Sequence, residues 1–232
     1  PFYLALPLLT TVPAAAKSLE EVTVTALRIP VAASDIIGNH AAVDGQTLEL
    51  TGPTHIQQAL ARVPGVNLQH NSGQEYLPAI RSPVLTGAGA CGSFLMAEDG
   101  IPLRPAGFCN VNELFEAHSE QAARLEVIRG PGVTLYGSNA LHGVVNVITP
   151  TPGSEGSRMG VEAGSEDFYR VRLRTGNEHL SAAFTGTTEG SARDEAGVDQ
   201  QKLTLGSRHD LDGVLLTTGL TAINLNQETA GY

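Results

Sequence analysis

The chain has 232 residues, of which 16 % are charged and 5 % are aromatic, and it contains 26 glycines. Low charge and many small residues are typical of β-structure and turns, and they disfavour a helical bundle. The formal net charge of −10 argues against nucleic acid as a partner, because phosphate recognition needs a basic surface. The sequence has no long apolar run that predicts a transmembrane helix.

The first 26 residues fall into two segments with different patterns. An apolar stretch up to Val12 followed by small residues up to Ala16 predicts the end of a signal peptide over residues 1–16, with a buried strand or an arm as the alternative. Because the usual basic start is missing, we expect the chain to be truncated there. In residues 17–26, valine and threonine alternate, which predicts a strand with no partner nearby. It is either an ordinary first strand or a segment that adds to another protein's sheet edge.

Residues 27–150 predict a small α+β domain with a mixed β-sheet and short helices. A helix that starts at Pro53 or Thr54 places Ile56, Leu60 and Val63 on one face. The predicted strands cover residues 66–69, 77–81, 94–98, 125–129 and 144–148, and a second short helix covers residues 113–123.

Residues 151–232 predict antiparallel strands with one apolar face. Residues 168–174 alternate three arginines with Tyr169, Val171 and Leu173. Further strands are predicted at residues 180–188, 201–207 and 214–223. Strands of this length are typical of a membrane β-barrel, although the segment alone also fits a soluble meander. The residues suffice for about five spanning strands, so we expect an incomplete barrel in a fragment of a longer protein.

No motif predicts catalysis, a metal site or a cofactor. Gly87, Gly89 and Gly92 have dinucleotide-motif spacing, but an apolar strand follows them where that fold needs a helix. The histidines lack paired-ligand spacing. Glu98 and Asp99 are adjacent at a strand end and face opposite sides, and Asp99–Gly100 predicts a turn. We therefore expect no enzyme.

Two cysteines, Cys91 and Cys109, lie 18 positions apart in a chain that is predicted to be exported. An oxidising compartment favours a disulfide between them, which would contribute about 3 kcal/mol by the loop-entropy argument. Two buried thiols are the alternative.

Several motifs in the 27–150 domain occur in a fixed order. They are Ile56-Gln-Gln-Ala-Leu-Ala-Arg-Val-Pro-Gly-Val66, Ala79-Ile-Arg81, Glu98-Asp-Gly-Ile-Pro102, Leu125-Glu-Val-Ile-Arg-Gly-Pro131 and Leu135-Tyr-Gly-Ser-Asn-Ala-Leu-His-Gly-Val-Val-Asn-Val-Ile148. This ordered set resembles the plug domain of TonB-dependent outer-membrane receptors. Ser82 departs from the pattern, because the family usually has glycine there.

The resemblance implies roles for particular residues. The segment Glu21, Val22, Thr23, Val24, Thr25 and Ala26 is similar to the TonB box, which binds the energy transducer TonB. Arg81 and Arg129 occupy positions that lock the plug to glutamates of the barrel, here expected beyond Tyr232; two exposed strand-end arginines are the alternative. The loops 83–92 and 103–112 would face the ligand and carry Leu85, Thr86, Arg104 and Phe108.

The expected architecture is an α+β plug domain (27–150) followed by the N-terminal antiparallel strands of a transmembrane β-barrel (151–232). The resemblance implies TonB-dependent uptake of a scarce solute across the Gram-negative outer membrane, with the N-terminus in the periplasm. The expected cargo is a ferric siderophore or another metal complex, and cobalamin, haem and carbohydrate are alternatives. A periplasmic binding module is the alternative of another class, but it leaves the strands after residue 151 unexplained.

Overall fold

The computed structural model describes residues 23–24, 31–32, 39–70, 73–84, 94–103, 113–132, 136, 140–153, 156–190 and 196–228. These residues form an α+β domain, which ends at β9, and a separate five-stranded antiparallel sheet. The elements of the domain are β1 (Thr23–Val24), β2 (Val31–Ala32), β3 (His40–Asp44), α1 (Gly45–Thr51), α2 (Ile56–Leu60), β4 (Val66–His70), β5 (Tyr76–Ile80), β6 (Phe94–Glu98), β7 (Ile101–Pro102), two 3₁₀ turns (Glu113–Glu116 and Ser119–Gln121), β8 (Arg124–Arg129) and β9 (Gly143–Ile148).

The main sheet of the domain has the strand order β3-β8-β9-β6-β7. Strands β6 and β9 are parallel and the other pairs are antiparallel, so the predicted mixed sheet is confirmed. The central strands β8 and β9 fully bury the apolar side chains of Leu125, Val127, Val145 and Val147. Burial of each such side chain stabilises the fold by about 1.5–3 kcal/mol.

Two short helices lie on this core, and local hydrogen bonds fix their ends. The Asp44 side chain caps α1 by accepting from the Thr47 amide at 2.6 Å, and Gly52 ends it with a φ of +52°. His55 caps α2 in a capping box with Gln58. The helix predicted from Pro53 or Thr54 therefore starts slightly later than expected.

The prediction of one helix over residues 113–123 is wrong, because the structure has two 3₁₀ turns there. The carbonyls of Ala117 and Gln121 accept hydrogen bonds from lysine and arginine side chains of the second sheet instead of continuing a helical ladder. The sequence analysis also missed β3, α1 and β7. These elements are short, and β3 and α1 each bury a single side chain, Val43 and Leu48, so neither has a clear apolar period.

The predicted turn at Asp99–Gly100 joins β6 to β7. Both residues have positive φ, +49° and +78°, as a type I′ hairpin turn requires. The Gly100 amide donates to Asn146 Oδ1 at 2.8 Å, and the Asp99 carboxylate accepts from the Thr149 amide and hydroxyl. The turn is thereby held against the end of β9, where the chain leaves the domain.

The second sheet is a meander of five antiparallel strands in chain order, as predicted. Its strands are β10 (Arg158–Ala163), β11 (Tyr169–Gly176), β12 (Leu180–Glu189), β13 (Val198–Leu211) and β14 (Val214–Gln227). Both β13 and β14 have 14 residues, so they are longer than the predicted strands. The sheet is open, with β10 and β14 at its edges, as expected for an incomplete barrel.

The two faces of this sheet differ in chemistry. One face packs on the α+β domain and buries mainly polar side chains: Arg170, Thr185, Thr187, Gln200, Lys202 and Thr204. The alternate positions point away from the domain and expose Met159, Val161, Tyr169, Val171, Leu173, Leu180, Leu205, Leu216 and Leu220. The predicted separation of the arginines from Tyr169, Val171 and Leu173 is confirmed. A polar inner face and an apolar outer face are the pattern of a membrane β-barrel wall.

Candidate functional site

The candidate site is the interface between the α+β domain and the inner face of the second sheet. Residues 117–121 of the domain lie at its centre, against β11, β12 and β13. The contacts are hydrogen bonds and ion pairs rather than apolar packing. Because water is excluded there, the buried polar groups of this segment depend on hydrogen-bond partners in the second sheet.

Lys202 on β13 makes the most buried ion pair of the interface. Its ammonium group donates to Glu120 Oε1 at 2.8 Å and to the Ala117 carbonyl at 3.0 Å. The side chains of Lys202 and Glu120 are 2 % and 7 % exposed. Burial by itself raises the pKa of Glu120, but the Lys202 ammonium together with the other neighbouring groups and hydrogen bonds holds that pKa below its usual value.

His118 contacts two neighbouring strands of the sheet, β12 and β13. Its Nδ1 is 3.0 Å from the Thr204 hydroxyl and its Nε2 is 2.7 Å from the Thr185 hydroxyl. Burial lowers the pKa of His118 to about 4; the Glu120 carboxylate opposes this shift and the Lys202 ammonium adds to it. The imidazole is therefore neutral at physiological pH, and threonine hydroxyls suit it because they both donate and accept.

Gln121 continues the contact towards β11 and β12. Its Nε2 donates to the Phe184 carbonyl at 2.6 Å and lies 2.8 Å from the Thr185 hydroxyl. The Gln121 carbonyl in turn accepts from the Arg174 guanidinium. Glu98 is a further interface carboxylate: it accepts from the Thr221 hydroxyl at 2.8 Å, and burial raises its pKa.

Arg170 on β11 binds the C-terminal end of α1. Its guanidinium donates to the carbonyls of Gly52 and Pro53 at 2.8 and 2.9 Å and also pairs with Glu162 on β10. A cation at this end complements the helix dipole. Gly52 allows the close approach, because a Cβ there would lie 2.7 Å from Arg170 Nη2.

We predict that Gly52→Ala destabilises the folded protein more than Gly213→Ala does. Both glycines have positive φ, which costs an alanine about 1–2 kcal/mol, but a Cβ at Gly213 meets no atom within 4 Å. At position 52 the Arg170 hydrogen bonds are also disturbed, for about 1–3 kcal/mol more. Thermal unfolding of both variants in detergent tests this, and equal unfolding temperatures would contradict it.

The two predicted lock arginines both contact the turn at Pro64 and Gly65. Arg129 donates to the carbonyls of Pro64 and His40 at 2.8 and 3.0 Å, and the Arg81 amide donates to the Gly65 carbonyl at 2.8 Å. Arg81 has a φ of +50°, a strained conformation for a residue with a side chain. Within the residues that the structure covers, neither arginine pairs with a carboxylate.

Other predicted site residues cannot be compared with the geometry. Leu85, Thr86, Cys91, Arg104, Phe108, Cys109, Glu21, Val22, Thr25 and Ala26 lie outside the described residues. Thr23 and Val24 form β1, which pairs with Ala32 and Val31. The expectation that this segment has no nearby partner is therefore wrong.

Four residues that join the two parts of the chain were not predicted from the sequence: Lys202, Glu120, His118 and Gln121. One signal was available: the chain has two lysines, Lys17 and Lys202, and the second occupies a strand whose leucines mark the opposite face. Within the described part of the chain, no three metal-ligating side chains are grouped. No helix in that part is long and apolar enough to cross a membrane.

Comparison with known proteins gives this architecture a family. The profile of the TonB-dependent Receptor Plug Domain matches residues 32–144. The vitamin B12 transporter BtuB of Vibrio vulnificus is 32 % identical over 158 residues, which cover 67 % of this chain and 25 % of the relative. The chain therefore belongs to the TonB-dependent receptors and contains their plug domain and the first strands of their barrel.

Solved structures show the same fold. The chain superposes on the FpvAI–pyocin S2 complex with a TM-score of 0.68 and 21 % identity, covering 87 % of this chain and 27 % of the other. For the Acinetobacter baumannii siderophore receptor PiuA the TM-score is 0.65 at 19 % identity, covering 89 % and 29 %. The chain thus spans about a quarter to a third of the length of these relatives.

Proposed function

We propose that this chain is the N-terminal part of an outer-membrane receptor that imports a scarce solute by TonB-dependent active transport. The observation that carries the proposal is the two-faced sheet: its polar face binds a plug domain and its leucine-rich face suits lipid. Ligand binds on the outer side of plug and barrel, TonB pulls on the N-terminal segment, and rearrangement of the plug opens a path.

The interface supports a closed resting state. The cavity between α1 and strands β10 and β11 has a volume of about 70 Å³ and is lined by charged side chains, including Glu49, Glu120 and Arg172. This volume holds a few water molecules but no siderophore or corrinoid. Cargo passage along this wall therefore requires movement of the plug.

The TonB contact is proposed to be the segment 21–26. TonB would pair with it as an added strand, using the backbone groups of an extended chain. Because β1 is paired with β2 over only two residues, exchange of one partner strand for the other disrupts few hydrogen bonds. Arg81 and Arg129 are proposed to lock the plug to carboxylates of the barrel: Arg129 donates to the Pro64 carbonyl, and the Arg81 side chain lies beside Gly65.

The proposed cargo is an iron–siderophore complex, in line with the siderophore receptors among the structural neighbours. Cobalamin is the second candidate, because the 32 % identical relative is a vitamin B12 transporter. A strain that lacks the receptor, complemented with the full-length gene, should be tested for uptake of labelled ferric siderophores, cobalamin, haem and oligosaccharides. Restoration by one cargo class supports the proposal, and no gain with any of them contradicts it.

We predict a disulfide between Cys91 and Cys109 in the mature receptor. It would join the loops 83–92 and 103–112 and stiffen the surface that carries the proposed ligand-facing residues Leu85, Thr86, Arg104 and Phe108. Intact mass after alkylation, with and without prior reduction, measures the thiols. Alkylation of both cysteines without a reductant would show that the bond is absent.

A further inference from the structure

Two of the contacts between the plug and the barrel wall differ in how their charges are compensated. At the first, Arg170 donates to the carbonyls of Gly52 and Pro53, but its carboxylate partner Glu162 belongs to the barrel itself. If α1 leaves the wall, the Arg170 guanidinium keeps that ion pair. The other ion pair between α1 and the wall, Glu49 with Arg158, is about half exposed, so water solvates both charges when α1 leaves.

At the second place the compensation crosses the interface. Among the described residues Lys202 has one ion pair, and its partner Glu120 is on the plug. Both side chains are more than nine-tenths buried, and the ammonium group also depends on the Ala117 carbonyl of the plug. Loss of either partner while the interface is closed leaves the other charge buried and unpaired, which is far more costly than loss of a neutral hydrogen bond.

Neighbouring hydrogen bonds strengthen the contact at this second place. His118 and Gln121 bond to hydroxyls and carbonyls of β12 and β13, and Arg174 binds the Gln121 carbonyl. The segment 117–121 directly precedes β8, and β8 pairs with β9, from which the chain passes to the barrel at β10. The hairpin of β8 and β9 is thus held by the segment before it and by the covalent link after it.

On the basis of the proposed function, we propose that residues 117–121 are the fixed anchor of the plug. They stay on strands β11–β13 while cargo passes, and the Lys202–Glu120 pair holds them there. The contact of Arg170 with α1 is the releasable one. Displacement of the plug therefore begins in the elements that precede residue 113, and the hairpin of β8 and β9 remains in the barrel.

The test measures leakage rather than transport, so that it does not depend on the proposed uptake. Full-length receptor variants are expressed in an outer membrane, in strains with and without TonB, and sensitivity to a glycopeptide antibiotic that intact outer membranes exclude is determined. Lys202→Met should raise that sensitivity several-fold in both strains, because Glu120 loses its cation and the plug detaches. Glu120→Gln, which leaves the ammonium group without a carboxylate, should have the same effect and serves as the second variant if Lys202→Met does not fold.

Two controls make the result specific to the anchor. The double variant Glu120→Gln with Lys202→Met removes both charges and should restore most of the barrier. Arg208→Met removes an exposed cation from the same strand and should leave the barrier intact. Folded barrel is verified for each variant by its heat-dependent mobility in electrophoresis.

The anchor is refuted if folded Lys202→Met and Glu120→Gln receptors exclude the antibiotic as well as the unmodified receptor does. It is also refuted if Arg208→Met leaks to the same extent, or if the double variant leaks as much as Lys202→Met. Failure of the transport proposal would appear separately, as absent cargo uptake by a receptor whose plug barrier behaves as predicted.

Discussion

Val24→Pro in the full-length receptor is expected to abolish energised uptake while ligand binding to whole cells stays nearly unchanged. Strand addition depends on backbone N–H groups in an extended chain, and proline removes one donor and fixes φ. Val24 lies in β1, which pairs with β2 in a separate two-stranded sheet, so the five-stranded sheet of the plug keeps its strand pairing. Binding and accumulation of labelled cargo are measured separately, with and without an uncoupler.

Thr23→Ser is the matched control for this experiment. It changes the adjacent side chain but keeps the backbone donor, so uptake should remain near that of the unmodified receptor. Normal uptake by Val24→Pro would show that this segment is not the TonB box. Loss of ligand binding together with uptake would mean that the substitution acts through the folded plug.

The 232-residue chain is expected to aggregate without detergent, whereas residues 17–150 alone should form a soluble monomer. The barrel strands expose leucines such as Leu180, Leu205 and Leu220 on one face, and the edges of β10 and β14 lack partner strands. The plug surface that faces the barrel is polar, with His118, Glu120 and Gln121 at its centre. Water can solvate these groups when the barrel is removed.

Size-exclusion chromatography with light scattering distinguishes these outcomes. The 17–150 segment should elute as a monomer in buffer, and the longer chain should become monodisperse only when detergent is added. A longer chain that is monodisperse without detergent would contradict the assignment of residues 151–232 to a membrane barrel. Aggregation of both chains would instead show that the plug needs the barrel wall for its stability.

The parts of the fold that were predicted correctly are those with strong local patterns. Strands β8 and β9 contain adjacent β-branched residues, Val127–Ile128 and Val144–Val145, and Asp99–Gly100 is a strong hairpin signal. The alternation of Arg170, Arg172 and Arg174 with apolar residues gave both the strand and its two faces. In each case a few neighbouring residues determine the structure.

The interface could not be predicted because it depends on residues far apart in sequence. Glu120 and Lys202 are separated by 82 positions, and nothing in the local pattern of either links the two. The helix predicted over residues 113–123 was wrong for the same reason, because carbonyls of this segment bind side chains of the second sheet, which lies far along the sequence. The sequence pattern predicts that β13 has a polar face, but only the three-dimensional structure shows which plug segment that face contacts.

TonB-dependent transport is tested most directly by comparing cargo accumulation in cells with and without TonB. The full-length receptor is expressed in both strains, and surface binding and internal accumulation of the labelled cargo identified by the complementation test are measured over time. We predict equal binding in the two strains, with accumulation only where TonB and the proton-motive force are present. Equal accumulation in the strain that lacks TonB would show that the protein is not an energised receptor.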